Sequence, residues 1–178
     1  LQRRKNHRMF LDVVSLLSTR YPIRATIIGE CSTPDHQKEL EDLKQHAQRV
    51  GIANRVEFKV NLPFTEVQDQ IRQHDVFVLT ARNELVGVSL LEAMSHSLPV
   101  ICSNSAGAQS YVMPGENGFV FRTDNEEDLE VNLERILEDR EKLIKMGARS
   151  YDIVVNNHSP KAYVNALLSI VEGYHPKD

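Results

Sequence analysis

Glu84 and Glu92 stand eight residues apart around the short apolar stretch LVGVSLL, which holds a single glycine, Gly87. Carboxylates accept hydrogen bonds from neighbouring hydroxyls, so a pair at this spacing suits a ligand that carries several of them. Gly87 lies just before a helix expected to begin near Ser89. A residue without a side chain there lets a phosphate approach the backbone, with the amides of Val88 and Ser89 pointing at it. A helix start also carries about half a positive charge. A loop built only for anions would not place Glu84 beside them, whereas a site for a phosphate joined to a polyhydroxyl group would. Spacing alone favours a second reading of Glu92. Ser89 to Glu92, SLLE, is a capping box in which the glutamate satisfies a free backbone amide.

The surrounding pattern supplies the scaffold for such a loop. Phe10, Val13, Val14 and Leu17 recur at helical spacing, and RYP ends that helix before the β-branched run IRATIIG, closing on Gly29. A polar helix from about Asp35 to Val50 follows, then the strand RVEFKV. Thr65 opens a short helix with the capping box TEVQ, and the strand DVFVLTA leads into the loop at 82–88. After LPVIC and a loop around Gly107 comes GFVF. The chain then turns helical, from the capping box TDNE to SPKAYVNALLSIVEGY, where Ser159 is the N-cap and Pro160 the first helical residue. Apolar strands separated by single helices predict an α/β domain with a doubly wound parallel sheet, ending in C-terminal helices. Ligands of such sheets bind beyond the carboxyl ends of the strands.

Composition narrows the function. The 178 residues suffice for one domain, and a net charge of −4 argues against a nucleic-acid partner. No apolar run reaches the roughly 18 residues of a membrane span, and LQRRKNHRMF lacks the apolar core of a signal peptide. The two cysteines, Cys31 and Cys102, lie far apart without CxxC spacing, as free thiols of a reducing compartment do. The seven histidines show no metal-ligand spacing, and no metal is expected. The basic residues Arg3, Arg4, Lys5 and Arg8 cluster at the start; Arg3 and Arg4 are expected to be solvated charge.

The stretch NELVGVSLLEAMSHSLPVICSNSAG resembles the signature of retaining GT-B glycosyltransferases of family 4: glutamate, seven residues, Glu-Ala-Met, Pro-Val and a glycine loop. GENGFVF and RVEFKVNLPFTEV are similar to further segments of that family, and LQRRKN is similar to the one that carries its diphosphate-binding lysine. The chain differs in having Leu85 and Val86 where the family commonly has a glycine and an aromatic residue, Ser110 where it often has glutamate, and Val60 in place of a glycine. The resemblance implies that residues 1–178 are the Rossmann-like, nucleotide-sugar-binding half of a GT-B fold. It also implies an N-terminal acceptor domain outside this sequence and a fragment inactive alone.

By the same resemblance, Glu92 would hold the ribose and Glu84 the transferring sugar. Val86, Gly87, Val88 and Ser89 would offer backbone contacts, and Lys5 would neutralise the departing diphosphate without a cofactor or metal. The partners implied are a nucleotide sugar and a sugar or lipid acceptor. The implied location is cytoplasmic, compatible with peripheral attachment to the inner face of a membrane in the full-length protein. The alternatives are a sugar-nucleotide epimerase of the same fold group and a non-catalytic module that binds a nucleotide or a protein partner.

Overall fold

The structure, a computed structural model, describes residues 1–172. Five strands alternate with helices among them: α1 (His7–Leu17), β1 (Ala25–Gly29), α2 (Pro34–Arg49), β2 (Val56–Val60), α3 (Phe64–Arg72), β3 (Phe77–Leu79), α4 (Val88–Ser95), β4 (Val100–Ser103), β5 (Gly118–Phe121), α5 (Glu126–Leu137), α6 (Arg140–Ile153) and α7 (Pro160–Glu172). Every strand pairing is parallel. β1 pairs with β2 from Ala25 opposite Val56, and β4 sits between β3 and β5 with Val100 opposite both Phe77 and Gly118. The α/β, parallel-sheet expectation holds.

β4 shows why its sequence is apolar throughout. All four of its residues are buried, and alternate side chains point to opposite faces of a sheet. Val100 and Cys102 pack with Leu90, Ala93 and Met94 of α4. Ile101 packs on the other side with Met9, Val13 and Leu17 of α1 and with Leu129 and Ile136 of α5. Fully burying each such side chain stabilises the fold by roughly 1.5–3 kcal/mol. α1 carries a second apolar stripe, Leu11 and Val14, which packs with Ala25 and Ile27 of β1 and Leu43 of α2. One helix therefore ties the two ladders together.

The ladders do not merge. β1 and β3 share no hydrogen-bonded pairing, and both line a groove of about 420 Å³ that also receives Leu1, His7 and Phe10. His74 Nε2 meets Thr26 Oγ1 across it at 2.8 Å. A single continuous sheet is the simplest outcome of the hydrophobic pattern, and the structure has two parallel pieces instead.

Helix starts also differ from the capping pattern. α3 begins at Phe64 after Pro63, so Thr65 is inside the helix rather than its cap. α5 is capped by Asn125, whose side chain accepts from the Asp128 amide, and Thr123 lies outside. Ser159 does cap α7, accepting from the Ala162 amide at 3.1 Å. In both displaced cases the cap lies two residues from the expected one: Pro63, which makes no side-chain cap bond, and Asn125, a strong N-cap residue.

Candidate functional site

The loop between β3 and α4 is shaped by its glycine. Gly87 takes φ +69°, ψ 44°, the left-handed region, and serves as N-cap of α4, which starts at Val88. A Cβ at Gly87 would stand 2.6 Å from the Ala108 Cβ. Both conformation and space thus require glycine. The opposite wall closes as tightly. The Gly107 amide donates to the Glu84 carbonyl at 2.7 Å, and a Cβ at Gly107 would stand 1.9 Å from the Leu85 carbonyl oxygen. The loop after β4 can lie against the 84–87 segment only because position 107 has no side chain.

Gly87 as cap removes the capping-box reading of Glu92. With α4 opening at Val88, Ser89 is already helical, so SLLE is not a capping box. Glu92 lies one turn into the helix, and its carboxylate makes no hydrogen bond among the described residues. Instead Glu92 and Ser89 line the groove together with Lys5 and Thr80. The amides of Val88 and Ser89 have no partner among the described residues, as the first amides of a helix lack one within it. Val86, Val88 and Leu85 are exposed, and none of them lines the groove.

Glu84 and Lys5, 79 residues apart in the chain, are in contact. Lys5 Nζ donates to Glu84 Oε2 at 2.6 Å, and Arg4 Nη1 donates to the same oxygen at 2.6 Å. Arg4, expected to be solvated, is half-exposed and shares Glu84 with Lys5; its adjacency to Lys5 is the only sequence signal for that contact. Arg3 does point outward, three-quarters exposed, to Glu39 and Asp42 on α2. The hydrogen bond from Lys5 is the main cause that holds the Glu84 carboxyl below its ordinary value of 4.5; Arg4 adds to it and partial burial opposes it.

The backbone that carries these cations is held in turn. The Thr80 hydroxyl, buried, donates to the Lys5 carbonyl at 2.7 Å, and the Arg82 amide donates to the Arg4 carbonyl at 2.7 Å. Neither contact follows from any local motif. The result is an ionic cluster of Lys5, Arg4 and Glu84, with both cations lining the same groove as Ser89 and Glu92. In the structure Glu84 itself supplies the anion.

The model of the family "Glycosyl transferases group 1" matches residues 1–153. The human GDP-Man:Man(3)GlcNAc(2)-PP-Dol alpha-1,2-mannosyltransferase is 26% identical over 179 residues, which cover 94% of this chain and 36% of that protein. The D-inositol 3-phosphate glycosyltransferase of Corynebacterium urealyticum is 30% identical over 152 residues, 83% of this chain and 35% of that enzyme. The chain thus spans about a third of the length of these relatives. Among solved structures, the C-terminal domain of the group 1 family protein LpcC from Francisella tularensis superposes with a TM-score of 0.82 at 22% identity, over 90% of this chain and 83% of that one. HepE of Anabaena in complex with UDP gives 0.82 at 20% identity, over 98% of this chain and 47% of that one. These likenesses carry the fold, that of a GT-B C-terminal domain. By the family match across most of its length, this chain belongs to the group 1 glycosyl transferases.

Proposed function

We propose that the chain is the donor-binding half of a retaining, family 4 type glycosyltransferase, which takes a sugar from a nucleoside-diphosphate sugar. The observation that carries this reading is the contact of Lys5 and Arg4 with Glu84, both cations lining one groove with Ser89 and Glu92. The diphosphate replaces the Glu84 carboxylate on the two cations and meets the start of α4. Glu84, released, accepts from hydroxyls of the transferring sugar, and Glu92 accepts from those of the ribose. As the bond from anomeric carbon to phosphate breaks, negative charge builds on the diphosphate. Lys5, Arg4 and the helix start stabilise it in place, with no metal in the scheme. A UDP complex of HepE and relatives named for GDP-mannose support a nucleotide sugar as the ligand class. The acceptor, a sugar or lipid, is read by a further domain of a longer chain, and catalysis needs both halves.

Titration calorimetry with UDP, GDP and ADP tests this. One of the three should bind, and both Lys5→Ala and Glu92→Ala should weaken it by about tenfold or more, since hydrogen bonds to charged groups contribute roughly 1.5–3 kcal/mol. Variants that bound all three as the parent does would remove the reading.

A further inference from the structure

Three loops that no sequence motif connects meet at one carboxylate. Asp124, between β5 and α5, takes φ +61°, a left-handed conformation that Asp and Asn tolerate better than other side chains. Its Oδ1 accepts from Asn6 Nδ2 at 3.0 Å and from Arg82 Nε at 2.6 Å. Asn6, buried and itself left-handed at φ 54°, ends the turn Arg3–Lys5 and begins α1. Arg82 reaches that same turn through its backbone, donating to the Arg4 carbonyl, while Thr80 donates to the Lys5 carbonyl. Three consecutive residues, Arg4, Lys5 and Asn6, are therefore gripped by groups from positions 82, 80 and 124.

We propose that Asp124 is a positioning residue: by holding the Asn6 amide and the Arg82 guanidinium on one oxygen, it fixes the turn that presents the Lys5 and Arg4 cations to the site. The Arg82–Asp124 pair is half-exposed, and ion pairs so exposed add little to stability. Loss of Asp124 releases the turn and leaves the fold intact. The role in ligand binding rests on the reading of Lys5 and Arg4 as the diphosphate cations; the geometric role does not.

Two measurements on three variants test it. Asp124→Gly keeps the left-handed conformation and removes both contacts. Asp124→Asn keeps the conformation and an acceptor oxygen. Asn6→Gly removes the amide from the other side and serves if Asp124→Gly fails to fold. NMR titration of the Glu84 carboxyl should show its midpoint rising toward the ordinary 4.5 in both glycine variants and returning most of the way in Asp124→Asn. Calorimetry with UDP, GDP and ADP, each beside its nucleoside, should show Asp124→Gly losing about tenfold in diphosphate affinity, some 1.4 kcal/mol, with the nucleoside unchanged. An unmoved Glu84 midpoint in a folded glycine variant overturns the proposal, and so does an equal loss for nucleoside and diphosphate. A parent that binds no diphosphate ends the donor-site reading alone, since the Glu84 titration still decides the positioning role.

Discussion

At the scale of single residues, the two proposed diphosphate cations already hold an anion. Glu84 occupies Lys5 and Arg4 with one carboxylate oxygen, so any phosphate must displace it. Glu84→Gln removes the competing charge and should tighten diphosphate binding at neutral pH by about tenfold, the order expected for one unit charge a few ångströms from the ligand in a partly solvated site. The pH dependence has a definite sign. The carboxyl of the folded protein ionises below its ordinary 4.5 because Lys5, then Arg4, stabilise the anion. Glu84 therefore competes at every pH above that depressed value and stops competing as pH falls through it. The parent and Glu84→Gln should converge in affinity only below pH 4.5. Taking the ratio of the two affinities cancels the ligand's own protonation. Equal affinities at pH 7 would mean that the ligand does not use these cations.

At the scale of elements, the strands were legible because each is a short apolar run between turn residues, and burial on both faces leaves no other outcome for VICS or GFVF. Helix starts were less so. Ser89, Thr65 and Thr123 each fit a capping box, yet Gly87, Pro63 and Asn125 hold the N-cap positions. A four-residue pattern does not record which neighbour the loop can place in the required backbone conformation. For α4 that choice leaves the Glu92 carboxylate without a capping partner among the described residues. Glu84 and Glu92 stand out by residue type and spacing and Lys5 by family resemblance, while Arg4, Thr80 and Asp124 make their contacts across loops and leave no local trace. Gly87→Ala tests the element directly. It combines a positive φ with a Cβ placed 2.6 Å from that of Ala108, and should cost roughly 2–4 kcal/mol through left-handed strain and overpacking. The double variant Gly87→Ala/Ala108→Gly relieves the contact and not the strain, so chemical denaturation should show about half the loss restored. A single variant as stable as the parent would mean that α4 does not start at this glycine.

At the scale of the whole molecule, the two ladders differ in what protects them. β4 has a partner on each side, whereas β1 and β3 have one each and face a common groove with their other edges. An edge with unpaired amides is a seat for a further strand, and it supports the proposal that this domain belongs to a longer chain. The pairing of β3 makes the point measurable. The Phe77 amide donates to the Pro99 carbonyl on the β4 side, and successive amides of a strand point to opposite sides. The Val78 amide is thus directed at the groove, which Val78 lines, between two neighbours whose amides are directed at β4. Native-state hydrogen exchange should show Val78 exchanging at least tenfold faster than Phe77 and Leu79, although all three lie in one three-residue strand. Ile101, central in β4 and fully buried, should exchange only with global unfolding. Equal protection at 77, 78 and 79 would show that β3 is paired on both edges in solution and that the groove is closed; slowing of Val78 alone, in a longer form of the protein, would identify the added segment as the strand that fills it.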